Sequence, residues 1–303
     1  MNLNDIDYLT AVAEQRHVGR AAEALGLTQP ALTRAIARME ALAGMPLFER
    51  HPKGVVLTQA GEAFLARAQR IRLEYDDALR EMHQMKTGEL GILRVGFSPT
   101  LDDQRVMGAI RRMLVERPAA RLHVVEKLMQ YLLDMLIEGE LDLVIAPIPS
   151  PPLPELDALP LLEDVLYVVA DQAHPLHRRR NLQLADVAAE PWLLPAQNTR
   201  LRGQLETLVR DAGLPPLNIR VEINASSLSN FRLLSGTRML GIGSTWTLER
   251  LRALGVMPLS ISIPPLRRQI GLLTRKNAYM SPLAQRLRDL LIDEMKPAKP
   301  KQK

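Results

Sequence analysis

Between residues 58 and 87 the side chains Phe64, Ala68, Ile71, Tyr75, Ala78, Met82 and Met85 recur at steps of 4, 3, 4, 3, 4 and 3. That is an unbroken heptad seam over three heptads, and the stretch contains no proline. Thirty helical residues extend about 45 Å. A single narrow apolar stripe on so long a helix needs a partner helix, so the spacing predicts a dimer interface along these seven positions. The alternative is packing of the stripe on the helix's own domain. The seam also divides the chain, because the patterns on its two sides differ.

On the N-terminal side every apolar pattern is helical. Leu3, Ile6, Leu9, Val12 and Ala13 predict a helix over 3–15, and Val18, Ala21, Ala22 and Leu25 a shorter one over 18–25 that Gly26 stops. A third helix begins at Thr28-Gln29-Pro30. Proline fits the first turn, where its missing N–H has no intrahelical partner anyway, and Thr28 is the expected N-cap, its hydroxyl accepting from a free backbone N–H. Leu32, Ala35, Ile36, Met39 and Leu42 form the expected apolar face of that helix, while Gln29, Thr33 and Ala37, with Pro30, Arg34 and Arg38, form a small, polar or cationic one. Three helices with a tight glycine-containing turn before the third is the helix-turn-helix pattern. Leu47, Phe48, a turn around 52–54 and Val55 to Leu57 then predict a hairpin, a wing.

Beyond Gly88 and Gly91, which bracket an expected hinge over 88–91, the pattern alternates. ILRVGF, RLHVVE and LDLVIA read as strands, with helices over 103–116 and 128–138 between them; this predicts βαβ units and a mainly parallel sheet. SPPLPEL (150–156) is a proline-rich connection. DVLYVVA, PWLLP, NIRVEI, MLGIG and VMPLSI supply further strands, with helices near 199–212 and 225–234, a late strand RRQIGLLTRK and a closing helix over 281–295.

The chain has 303 residues, room for two or three domains, and no cysteine, which excludes disulfides and thiolate metal sites and fits a reducing, cytoplasmic setting. No signal peptide is visible at the N-terminus and no apolar run approaches the roughly 20 residues of a membrane span. The formal charge of +5 says little about nucleic acid. The tail from Lys296 to Lys303, expected to be disordered over 297–303, carries four lysines and no acid. Residues 1–60 balance Arg16, Arg20, Arg34, Arg38, Arg50 and Lys53 against Asp5, Asp7, Glu14, Glu23, Glu40 and Glu49. A DNA-binding argument must therefore rest on where the charges sit.

RAAEALGLTQPALTRAIARMEALAGMPLFER, followed by LTQAGEAF, LRVGFSPT and GELDLVI, resembles the LysR-type transcriptional regulators, and the resemblance covers nearly the whole chain. It implies an N-terminal all-α winged helix-turn-helix (1–58) with a long linker dimerisation helix (59–87), joined to an α/β effector domain of two subdomains like a periplasmic binding protein. Subdomain I is expected over 92–162 and 266–296, subdomain II over 163–265. It further implies a homotetramer, a dimer of dimers, that binds double-stranded promoter DNA, contacts RNA polymerase and responds to a small-molecule effector, with no other cofactor and no enzymatic activity. Two departures stand out: Gly19 takes a place where the family often has Ser or Thr, leaving the second helix less well capped, and Lys53 stands where Arg is common in the wing. The alternatives are a cytoplasmic small-molecule-binding protein or an enzyme on the same α/β fold. His174 and His177 are spaced HxxH, but no carboxylate cluster accompanies them, and no GxSxG, P-loop or GxGxxG motif is present.

Glutamine suits adenine N6/N7 and arginine suits guanine O6/N7, so Gln29, Thr33 and Arg34 are the expected base readers, with the Pro30 ring against a thymine methyl. Arg38, Arg50 and Lys53 are the expected phosphate contacts. In open α/β sheets ligands sit beyond the carboxyl ends of strands. Ser98, Thr100, Gln197, Thr199, Arg200, Ser226 and Gly243 hold such positions, although hydroxyls there also serve as plain helix caps. The resemblance adds Met129 and Pro147 to the cleft, where a hydroxyl residue and, in carboxylate-sensing members, an arginine are frequent. The expected effector is therefore a molecule with an apolar body and one acidic or polar end, for which an organic acid is a candidate class.

Overall fold

A computed structural model describes residues 2–52, 54–87, 91–99, 101, 103–197, 199–223, 228–261 and 266–296, apart from the side chains of Gln84, Met85, Thr87 and Asp103. The chain divides into two compact units, Met1–Glu89 and Leu90–Lys303.

The first unit contains α1 (Leu3–Gln15), α2 (Val18–Ala24), α3 (Gln29–Ala43), the hairpin β1 (Phe48–His51) and β2 (Gly54–Leu57), and α4 (Gln59–Thr87). Each helix start has an identifiable cause. Asn2 and Asp5 form a reciprocal capping box at α1, their side chains accepting from each other's N–H at 2.9 and 2.8 Å. Pro30 occupies the first turn of α3. Thr28 is in N-cap conformation, but its hydroxyl makes no cap bond; its carbonyl instead receives Ala31 and Leu32 N–H, and the missing N–H of Pro30 leaves one donor fewer to satisfy. Gly19 is not the N-cap of α2. His17 is, its Nδ1 accepting from Gly19 N–H at 3.1 Å and Arg20 N–H at 3.3 Å. Leu9, Val12, Ala21, Leu32, Met39, Leu47 and Leu65 close one buried core. Leu42, placed on the buried face of α3 by its spacing, is 64% exposed in the last turn of the helix, two residues before its C-cap Gly44.

The wing is tied to the end of α1 and to α3. Val55 N–H donates to Arg16 O at 2.9 Å, and a Cβ on Gly54 would lie 2.1 Å from that same oxygen, so only glycine admits this approach at φ +127°. Glu40 Oε1 accepts from Leu47 and Phe48 N–H at 2.9 and 3.1 Å, fastening the hairpin to α3.

The second unit runs β3 (Ile92–Phe97), α5 (Asp103–Glu116), β4 (Arg121–Glu126), α6 (Met129–Ile137), β5 (Leu143–Pro147), β6 (Leu156–Asp171), α7 (Leu184–Ala188), β7 (Pro191–Pro195), α8 (Arg200–Asp211), β8 (Asn218–Ile223), β9 (Gly241–Ser244), α9 (Leu248–Ala253), β10 (Val256–Pro258), β11 (Leu266–Arg275) and α10 (Pro282–Glu294). Among the described residues a seven-stranded sheet has the order β10-β6-β11-β5-β3-β4, with β9 also on β6, and β7 pairs with β8 apart from it. The expected mainly parallel sheet is a mixed one. Only β4, β3 and β5 run parallel within it; β11, β6, β9 and β10 pair antiparallel. The cause is the 16-residue β6, which begins at Leu156, inside the expected connection, and lies against β11 from Leu156↔Arg275 to Leu166↔Leu266. Pro160 hides this strand in the sequence. Proline cannot donate to a ladder, and the register slips by one residue beside it.

The apolar interior is divided along those two long strands. Val95, Phe97, Ile110, Met113, Leu287 and Leu291 belong to one cluster; Val168, Trp192, Leu194, Leu205 and Val209 belong to another. The expected helix near 225–234 is a 3-10 segment over Leu228–Leu234 among the described residues. Residues 88–90 of the expected hinge and the tail over 297–303 lie outside the described residues. No described helix is long and apolar enough to cross a membrane.

Candidate DNA-binding face and ligand cleft

Helix α3 separates its two faces cleanly. Leu32, Ala35, Ile36 and Met39 are buried, and Gln29, Pro30, Thr33, Arg34 and Arg38 are exposed. Thr33 Oγ1 donates back to Gln29 O at 2.9 Å, which leaves its lone pairs outward. Arg34 and Arg50 have no ion-pair partner among the described residues. Arg38 does: its guanidinium lies 2.5 Å from Asp5, which is 1% exposed, so part of its charge is spent on the start of α1 while the side chain stays half exposed. Lys53 lies outside the described residues.

The heptad seam on α4 is not uniform. Phe64, assigned to dimerisation, packs with Leu65 against the first unit's own core, and Ala68, assigned likewise, is buried. The reason is that the N-terminal turns of α4 lie against α1, an attachment reinforced by Arg72, which reaches Asp7 at 2.7 Å. Asp76 and then Asp7 hydrogen-bond Arg72 and raise its pKa. Farther along, Ile71, Tyr75 and Met82 are 54%, 46% and 55% exposed, with Leu79 beside them at 51%. Ala78, the small member of this stretch, is exposed as well, next to the buried Asp77. The Met85 side chain lies outside the described residues.

In the second unit a cleft of about 780 Å³ opens at the carboxyl ends of β3, β5 and β7. One wall carries Ser98, Met129, Tyr131 and the prolines 147, 149 and 151; the other carries Thr199, Arg200, Gln204, Leu228 and Phe231. Five of the expected ligand residues therefore meet there: Ser98, Met129, Pro147, Thr199 and Arg200. Thr199 Oγ1 donates to Ala196 O at 2.8 Å, so toward a ligand it can only accept. Thr100 and Ser226 lie outside the described residues. Gln197 does not line the cleft; the turn closed by Thr199 on Ala196 O lifts it into solvent. Gly243 faces the opposite way. A Cβ there would sit 2.7 Å from Leu251 Cδ1 and 3.0 Å from Val169 Cγ1, in the core, while its strand neighbours Ile242 and Ser244 face the cleft. Arg202, two residues beyond Arg200 on α8, is buried and held by Glu206 at 2.5 Å and Pro195 O at 3.2 Å.

The floor of the cleft was not visible in the sequence. Arg268 on β11 stands opposite Asp164 on β6 and its Nε donates to Asp164 Oδ2 at 2.8 Å. Ser244 Oγ donates to Asp164 Oδ1 at 2.6 Å and receives Trp246 N–H at 3.2 Å. Asp164 is 1% exposed, so this carboxylate is satisfied entirely by protein. Behind it the Arg105 guanidinium stacks 3.9 Å from the Trp246 ring centroid. Residues 104 apart in sequence form the central pair, and only strand register brings them together. His174 of the HxxH pattern is a cap: its buried ring accepts from Leu176 N–H at 3.2 Å and approaches Arg238 O at 3.2 Å.

Residues 3–62 match the family model described as bacterial regulatory helix-turn-helix protein, lysR family, and residues 86–296 match that of the LysR substrate binding domain. The chain is 30% identical over 292 residues to an uncharacterized HTH-type transcriptional regulator, YybE, of Bacillus subtilis, covering 96% of this chain and 98% of that one. It is likewise 30% identical over 302 residues to the hydrogen peroxide-inducible genes activator of Escherichia coli O6:H1, covering 96% and 93%. In fold it is similar to a full-length OxyR variant from Pseudomonas aeruginosa, with a TM-score of 0.65, 24% identity and coverage of 97% and 94%.

Proposed function

The chain belongs to the LysR family of transcriptional regulators, and we propose how its residues divide the work of a DNA-binding regulator with an effector-binding domain. Helix α3 lies in the major groove, with Gln29, Thr33 and Arg34 at base edges and Pro30 against a thymine methyl. Arg50 on the wing and the outward half of Arg38 contact phosphates, as does Lys53 by family pattern. The supporting observation is the division of α3 into a buried apolar face and an exposed face on which Arg34 is unpaired among the described residues. Arg34→Ala is expected to cost about 1–3 kcal/mol on a cognate duplex. Arg50→Ala is expected to weaken all duplexes alike and lower the salt slope by about one. Fluorescence anisotropy on cognate and mixed-sequence DNA tests this; equal losses in both variants on both probes would remove the division.

The effector belongs in the 780 Å³ cleft between subdomain I (92–162, 266–296) and subdomain II (163–265). Met129, Tyr131, Phe231 and the three prolines suit an apolar body, and Arg200 with the floor at Arg268 suits one acidic or polar end. One relative is named for induction by hydrogen peroxide; this chain has no cysteine, so a thiol-based response is closed to it and a reversible ligand remains. Thr199→Val removes an acceptor from the cleft and is expected to weaken the effector while DNA binding persists. Calorimetric titration of the full chain with small aromatic and aliphatic acids tests it; unchanged affinity in Thr199→Val and in Met129→Thr would put the effector elsewhere. The exposed stretch of the α4 seam supports a dimer, and the family pattern a dimer of dimers acting in the cytoplasm on promoter DNA and RNA polymerase.

A further inference from the structure

His17 belongs to none of the DNA contacts assigned above, yet its chemistry is unusually constrained. Its Nδ1 lone pair receives the N–H groups of Gly19 and Arg20 at 3.1 and 3.3 Å. A ring nitrogen that accepts cannot carry the proton, so in the neutral ring the proton sits on Nε2. The fold thus sets the tautomer and turns one N–H donor outward. The ring is exposed, and Nε2 has no partner among the described residues.

Its neighbours are equally specific. A Cβ on Gly19 would lie 3.1 Å from His17 Cε1 and 3.4 Å from Gln29 Oε1. The imidazole and the Gln29 amide therefore flank the same bare backbone position, and the ring edge shares a surface with the opening turn of α3. In a helix-turn-helix the first helix crosses the DNA backbone while the second lies in the groove. His17 stands at the start of that first helix and beside the start of the second.

We propose that His17 is a DNA-backbone contact, its Nε2–H donating to a phosphate that flanks the bases read by Gln29, with Nδ1 fixed by the cap. The inference rests on α3 lying in the major groove. A neutral Nε2–H donor displaces no counterion, so the contact adds affinity without adding to the salt slope.

The test uses the full chain, a mixed-sequence duplex of about six helical turns and a duplex enriched by the protein from a random library. Serine, asparagine and aspartate all cap helices well. His17→Ser keeps an acceptor but its hydroxyl is too short to reach a phosphate. It is expected to melt like wild type and to bind both duplexes about 3–10-fold more weakly, the size of one hydrogen bond, with an unchanged salt slope. His17→Asn, which adds an amide donor to the cap, is expected to recover part of the loss. Wild-type affinity in His17→Ser, a loss confined to the enriched duplex, or a slope lowered by about one would each overturn the proposal. If His17→Ser melts early, His17→Gly decides, since glycine also caps helices and adds no charge: normal melting with binding about 3–10-fold weaker supports the contact, and normal melting with wild-type binding overturns it. Arg34→Ala separates the underlying reading, since a loss confined to the enriched duplex there supports the groove placement whatever His17 does.

Discussion

Replacing Asp164 by alanine is the sharpest perturbation of the cleft floor. Asp164 is 1% exposed and accepts from Arg268 Nε at 2.8 Å and Ser244 Oγ at 2.6 Å. Its removal takes from the Arg268 guanidinium, with its side chain 17% exposed, the carboxylate that faces it across the strands, and leaves a buried hydroxyl without that acceptor. Breaking a buried pair from one side costs about 3–5 kcal/mol, a large part of a domain's typical stability of about 5–15 kcal/mol. With a urea slope of about 2–3 kcal/mol/M, the midpoint should fall by about 1–2.5 M. The assay is already built into the chain. Its two tryptophans, Trp192 and Trp246, both lie in the second unit, so tryptophan fluorescence follows that unit alone. Replacing both partners, Asp164→Leu with Arg268→Met, removes both members of the pair and is expected to recover most of the loss. A midpoint shift below about 0.3 M in Asp164→Ala, under about 1 kcal/mol on the same slope, would refute the reasoning. So would a double variant as unstable as the sum of the single ones.

Ile71→Asp places a carboxylate on the exposed part of the α4 seam. It should leave the melting of a single chain within about 0.5 kcal/mol of wild type yet shift sedimentation toward monomer, because a charge in a dry seam loses its hydration; an unchanged oligomer would move the interface off this stripe. Asp171 accepts from Gly236 and Ala173 N–H, which with His174 and His177 nearby lowers its pKa. Its folded pKa lies below the unfolded value of about 3.9, so its stabilisation is complete above that value and is lost as pH falls through the folded pKa. Asp171→Asn should therefore flatten the loss of stability below about pH 4 in acid melts, and an unchanged acid limb would exclude the group. Met129→Thr should shift the preferred effector toward a more polar body, read as a changed rank order in a thermal-shift series of small acids.

The local periodicities of this chain were sufficient for its helices and for much of its site. The steps of three and four in 3–43 and the proline at position 30 define α1, α2 and α3 because helix geometry acts over a few residues and needs no distant partner. The same holds for Gln29, Thr33 and Arg34, which are exposed because Leu32, Ile36 and Met39 on the other side of the turn are not. Ser98 and Thr199 were legible as strand-to-helix junctions, and Gly243 and Gln197 were misplaced because a strand's facing and a turn's tilt depend on what packs behind them. Tertiary structure alone decided the rest. Whether Phe64 turns to its own core or to a partner depends on where α1 lies, and whether Arg38 is available depends on Asp5, 33 residues away. The pairing of Asp164 with Arg268 across two antiparallel strands leaves no local trace, since register is set by the whole sheet and a one-residue slip of either strand would turn its side chain to the other face.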